Sequence, residues 1–176
     1  MQIPLLGTVT RDERFDWLYS KPLSLKVFGA AEVRVVLDGY QEDRNKQDFH
    51  AAISAFLSLD GTALKAAEQH VFSYYRDMNN AWNPSDDEYV RIDNPSEVWN
   101  HVQFGQEAFV SRRSYGDKGI YVSVECNCDW EPEHGLQIVF KNGAFISKIG
   151  PYDGHVTNAD AYDDVQLENV VYHSIG

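Results

Sequence analysis

Between Leu23 and Leu37 the chain alternates apolar and polar positions. Leu23, Leu25 and Val27 are separated by Ser24 and Lys26, and Val33, Val35 and Leu37 by Arg34 and Val36. A period of two over runs this short predicts half-buried strands, with Gly29 in the turn between them. Phe15 to Tyr19 is a third strand candidate in this region. The period then changes. Phe49, Ile53, Phe56 and Leu57 fall at i, i+4, i+7 and i+8, one face of a helix that Asp60-Gly61 ends. A second stripe, Leu64, Ala67, Val71, Tyr74, Tyr75, Met78 and Trp82, predicts a core-facing helix from about 62 to 81. The short link between the two makes a helical hairpin.

The helical period stops after residue 82. Asn83-Pro84-Ser85-Asp86-Asp87-Glu88 is a breaker followed by an acidic loop. Asn94-Pro95-Ser96-Glu97 then has the composition of a helix start: a capping residue, proline at the first helical position and an acid three past the cap. From Glu107 onward the signals are those of strands. Phe109 to Arg113, Ile120 to Trp130, Leu136 to Lys141 and Ala144 to Ile149 are separated by turn residues. The last two runs flank Asn142-Gly143, whose residues accept the positive φ angles of a tight hairpin. The expectation is an α+β fold of one domain over 1–176. Its antiparallel sheet is a meander in the C-terminal half, with the helical hairpin packed on one face.

Composition narrows the functional classes. The chain has 176 residues, 43% of them hydrophobic, enough for a sizeable core. No run approaches the length of a membrane span. The start, Met1-Gln2-Ile3-Pro4, has neither a basic segment nor a hydrophobic stretch of signal length, so the expected location is cytoplasmic. The formal charge is −12, unevenly spread: residues 1–80 carry −2 and residues 81–176 carry −10. That balance argues against a nucleic-acid partner and suits an acidic face that docks a basic protein.

Three segments hold candidate chemistry. In the strand containing Cys126 and Cys128, both cysteines share a face with Val122, Val124 and Trp130, which reads as core. Two thiols are too few for a closed zinc site, and no metal or cofactor is expected. The opposite face carries Tyr121, Ser123, Glu125, Asn127 and Asp129, and Glu131, Glu133 and His134 follow in a loop. Carboxylates beside a histidine can do acid–base work or hold a cation through oxygen. The third segment is the turn-rich run from Gly150 to Asp160, with Asp153 and His155. The binding candidates are therefore Glu125, Asn127, Asp129, His134, Asp153 and His155. No catalytic residue is assigned. Arg112-Arg113 could meet an anion, or could be an exposed pair on a strand edge that blocks aggregation.

The run Arg112 to Gly119, the stretch Glu125 to Leu136 with its Trp-Glu-Pro-Glu-His-Gly-Leu core, and the run Gly150 to Tyr162 together resemble an uncharacterised bacterial family of domains of unknown function. The similarity covers nearly the whole chain. It carries no activity and no catalytic residues. Some relatives look like immunity proteins of toxin systems. With that resemblance, the leading expectation is a non-catalytic binding protein whose acidic half docks a basic, toxin-like partner, with exposed Tyr89, Tyr152 and Tyr162 as anchors. A hydrolase or metal-assisted enzyme using Glu125, Asp129, His134, Asp153 and His155 is the alternative. A structural subunit of an assembly is the third.

Overall fold

The computed structural model of the chain describes residues 1–174. Ten strands form in chain order: β1 (Gln2–Ile3), β2 (Gly7–Thr8), β3 (Thr10–Arg11), β4 (Leu18–Tyr19), β5 (Leu23–Leu25), β6 (Ala31–Leu37), β7 (Val102–Arg112), β8 (Ile120–Cys128), β9 (Leu136–Lys141) and β10 (Phe145–Gly150). β1 and β2 pair in a small separate ribbon. The rest make one sheet in the order β10-β9-β8-β7-β6-β4-β3, with β5 also paired to β6. The C-terminal half is the expected antiparallel meander. The β6–β7 pair is parallel, a departure from the all-antiparallel expectation. The long helical excursion between these strands makes it possible, since parallel neighbours need a crossover rather than a hairpin.

The helices are α1 (Lys46–Leu57), α2 (Thr62–Lys65), α3 (Glu68–Asn79) and α4 (Asn158–Tyr162), with 3-10 turns at Lys26–Phe28, Pro95–His101 and Val165–Leu167. Phe49, Ile53 and Phe56 of α1 are buried as the period requires. The second predicted helix is interrupted between α2 and α3, where the Ala67 N–H bonds Leu64 O in a tight turn. Its two pieces serve different neighbours. α2 packs on the Lys26–Phe28 turn, while α3 packs on β10 and the Pro95–His101 turn. The apolar stripe survives the break, with Leu64, Ala67, Val71, Tyr74 and Tyr75 buried. Trp82, at the far end of that stripe, lies beyond α3 and is 43% exposed. The expected strand over Phe15 to Tyr19 shrinks to Leu18–Tyr19, because Asp16 takes a positive φ of 62° and turns the chain.

The Asn142-Gly143 turn has φ angles of 51° and 68°, as a primed hairpin turn needs. A Cβ on Gly143 would lie 1.9 Å from Ala52 O in α1, so only glycine lets this turn tuck beneath the helix. On the helix-facing side of the sheet, Val35, Leu37, Ala108, Val110, Val122, Val124, Cys126, Leu136, Ile138 and Phe140 form a contiguous core with α1 and α3. β9 is also buried on its other side, at Gln137 and Val139. The cover there is the segment after Gly150, which crosses the sheet's second face as a strap. Thr157 caps α4 by accepting from the Asp160 N–H. The strap then returns over the β10 edge, where Ile149 N donates to Val171 O at 2.7 Å, and ends against α3, where the Tyr172 hydroxyl donates to Asp77.

Two buried cations hold the strap. Arg112 and Arg113 are successive residues of or beside β7, so they point to opposite faces. β7 lies inside the sheet, and neither arginine is the exposed edge residue expected from sequence. Arg112 pairs with Asp43 and Asp48 at the start of α1. Arg113, 6% exposed, donates to both oxygens of Asp160 (2.7 and 2.8 Å) and both oxygens of Glu168 (2.5 and 2.8 Å). Lys148, 1% exposed, pairs with Asp153 and donates to Gln137 Oε1 at 2.9 Å.

Candidate functional site

The Trp-Glu-Pro-Glu-His-Gly-Leu run forms a compact turn between β8 and β9. Glu131 shapes it. One of its carboxylate oxygens accepts the backbone N–H groups of Glu133 and His134 at 3.0 and 3.1 Å. Gly135 closes the turn with a φ of 62°, and a Cβ there would lie 2.3 Å from Cys126 O. The buried Tyr74 hydroxyl donates to Gly135 O, tying the turn to α3, and burial pushes that phenol well above its ordinary value. Trp130 roots the turn in the core, meeting the rings of Tyr74 and Tyr75 nearly at right angles.

Between this turn and the C-terminal end of α3 lies a cleft of about 400 Å³. Asp77, Glu88, Asp129, Glu131 and Glu133 line it, with Met78, Trp82 and Trp130, and no lysine or arginine does. The carboxylates differ in how far they are committed. Asp77 accepts from Tyr172 and Ser174. Asp129 accepts from His101 Nδ1 at 2.9 Å and Gln103 at 3.4 Å. Glu88 and Glu133 enter none of the ion pairs among the described residues. The α3 C-terminus adds its partial negative charge to the same opening. This arrangement attracts a cation and offers it aromatic surface.

The six candidates from sequence fall into separate settings. Glu125 and Asn127 lie exposed on β8, beside an irregularity where Gly105, Gln106 and Glu107 of β7 stand opposite Glu125 alone. Gly105 is required there, since its Cβ would lie 1.9 Å from Glu125 O. Asp129 faces His101 and the acidic cleft. His134 approaches Glu131, at 3.4 Å. Asp153 serves Lys148, and the His155 carbonyl accepts from Gln137 at 3.0 Å and Lys148 at 3.3 Å. The loops of His134 and Asp153 do meet through backbone, Tyr152 N donating to His134 O at 3.2 Å. Of the presumed polar ladder, Tyr121 is buried and its hydroxyl donates to Asp117. The Asp117 carboxyl is partly buried, yet hydrogen bonds from Lys141, Gly119 and Tyr121 hold it down to about 2.

Glu131, Glu133 and His134 each offer a ligand atom, all within 4.8 Å of one another, a set with the right donors for a divalent cation. Cys126 and Cys128 are core, and burial pushes their thiols up to about 12. Of the anchor tyrosines, Tyr152 and Tyr162 are exposed while Tyr89 is half-buried. The sequence reading missed Trp82, whose helical spacing placed it in the core. The breaker that follows it, Asn83-Pro84, was the available sign that the helix ends short of it. A second and larger cleft, about 620 Å³, lies on the strap side of the sheet.

A family model described as a domain of unknown function (DUF6985) matches residues 5–156. No curated protein and no solved structure matches the chain. The chain belongs to the DUF6985 family.

Proposed function

We propose that this DUF6985 domain is a non-catalytic binding module whose acidic cleft docks a cationic segment of a protein partner. One observation carries the reading: five carboxylates and the exposed Trp82 line the cleft between α3 and the 129–133 turn, with no lysine or arginine among the described residues that line it, and Glu88 and Glu133 enter no ion pair there. An interface core needs an aromatic anchor, and a charged surround gives it encounter rate and selectivity. Trp82 supplies the first, with Met78 beside it in the cleft lining, and Glu88 and Glu133 the second. A lysine or arginine side chain entering here gains cation–π contact as well as charge. An immunity-type inhibitor of a basic toxin is one protein that would work this way.

The test is capture of partners from a lysate by the full chain, followed by zero-length carboxylate-to-amine cross-linking. Cross-links are expected at Glu88 and Glu133 to lysines of the partner. The double variant Glu88→Gln/Glu133→Gln should weaken binding about fivefold, and raised salt should weaken the wild type more than the variant. Capture that is equal for wild type and variant, or cross-links confined to other faces, would overturn the reading.

A further inference from the structure

The larger cleft has a distinct position in the topology. β6 and β7 are the parallel pair of the sheet, and the cleft opens at their carboxyl ends. Asp38 follows β6 directly. Ser111 is the next-to-last residue of β7, and Ser114 and Tyr115 follow the strand. In sheets with parallel strands, ligands collect at the carboxyl ends, where the connecting segments diverge and leave a crevice. Here α1 to α3 leave by one face and α4 of the strap roofs the other. The resulting volume, about 620 Å³, is that of a small-molecule site.

The lining residues specify the ligand chemistry. Arg113 at the floor is saturated by Asp160 and Glu168, and Arg112 by Asp43 and Asp48. Neither has charge left for an anion. Asp38 and Asp163, by contrast, pair with no cation among the described residues, and the Ser111 and Ser114 hydroxyls carry no hydrogen bond there. Tyr115 is 76% exposed and presents an open ring, and His155 also lines the cleft. The acceptors do not converge as a chelate. Among the described residues the group of three metal-type ligands within 4.8 Å is Glu131, Glu133 and His134, none of them in this cleft. Spread acceptors, two hydroxyls and an open aromatic ring suit a ligand with several O–H donors and a C–H face. We infer that this cleft binds a neutral polyhydroxylated small molecule, a sugar, with Asp38 and Asp163 accepting its hydroxyls and Tyr115 stacking on its ring.

The experiment is an amide-resonance titration of the full chain with glucose, galactose, mannose and N-acetylglucosamine, each to about 50 mM, a concentration that reveals even weak complexes. At least one of them is expected to shift amides in 111–116 and 154–163. Asp38→Asn/Asp163→Asn should weaken that sugar about tenfold, as loss of hydrogen bonds to charged acceptors does. Tyr115→Ala should weaken it without altering the dispersion of the remaining spectrum. No shift in these segments with any of the four sugars overturns the inference, as does equal affinity of the double variant. Shifts confined to the 77–88 and 129–133 segments also overturn it, because they assign the sugar to the other cleft.

Discussion

Replacing Arg113 by alanine tests how the strap is held. Arg113 is 6% exposed, and its guanidinium makes four hydrogen bonds to two carboxylates. The partner side chains retain 22% and 28% exposure. Removing one partner of a buried pair costs about 3–5 kcal/mol, because the other charge is left without compensation. Asp160 and Glu168 can regain water if the strap lifts, so the low end of that range applies, about 3 kcal/mol. For a chain of this size that lowers Tm by roughly 6–12 °C. Urea unfolding measures the loss. Hydrogen exchange of the Ile149 amide, which donates to Val171 O, measures whether the strap edge opens first. Arg113→Lys keeps the charge but not the two-pronged geometry and should fall between.

The same variant has a pH signature. The Arg113 hydrogen bonds hold the Asp160 carboxyl below its ordinary value. A carboxyl lowered in the folded state contributes stability that is complete above its unfolded value, about 4, and lost as pH falls through the lower folded value. The gap between wild type and Arg113→Ala should therefore be full near pH 6 and should close as pH drops below about 4. A loss under about 1 kcal/mol, or a gap that ignores acid, would refute the clamp.

Glycine positions give a paired test. Gly143→Ala meets both a positive φ of 68° and the Ala52 carbonyl, whereas Gly150→Ala meets nothing within 4 Å. The first should cost more than about 2 kcal/mol and the second less than about 0.5 kcal/mol by chemical denaturation, and equal losses would refute the packing of the hairpin under α1. Burial pushes the Cys126 and Cys128 thiols up to about 12, so a thiol reagent at neutral pH should label the urea-unfolded chain quickly and the native chain only as fast as it opens. Rapid labelling of the native chain would contradict their place in the core.

Where a local rule decides, the chain was legible. The Asn142-Gly143 hairpin follows from the φ angles its residues accept. The Pro95–His101 turn begins where Asn94 and Glu97 form their capping box. α1 and the strands β6, β8, β9 and β10 follow the period of their apolar residues, and the same period placed both cysteines in the core. The −10 charge of residues 81–176 was likewise visible, though not the cleft that gathers part of it.

Tertiary structure decided everything that joins distant residues. The α2–α3 break follows from two packing surfaces competing for one stripe, and no proline or glycine marks it. Trp82 fits the helical period yet is exposed, because burial depends on what faces a side chain rather than on its spacing. The parallel β6–β7 pair joins residues some seventy positions apart, beyond the reach of turn chemistry. Arg113 reads as a surface arginine until Asp160 and Glu168 arrive from the strap. A charge leaves water only where its partners are fixed in three dimensions, and sequence spacing does not encode that.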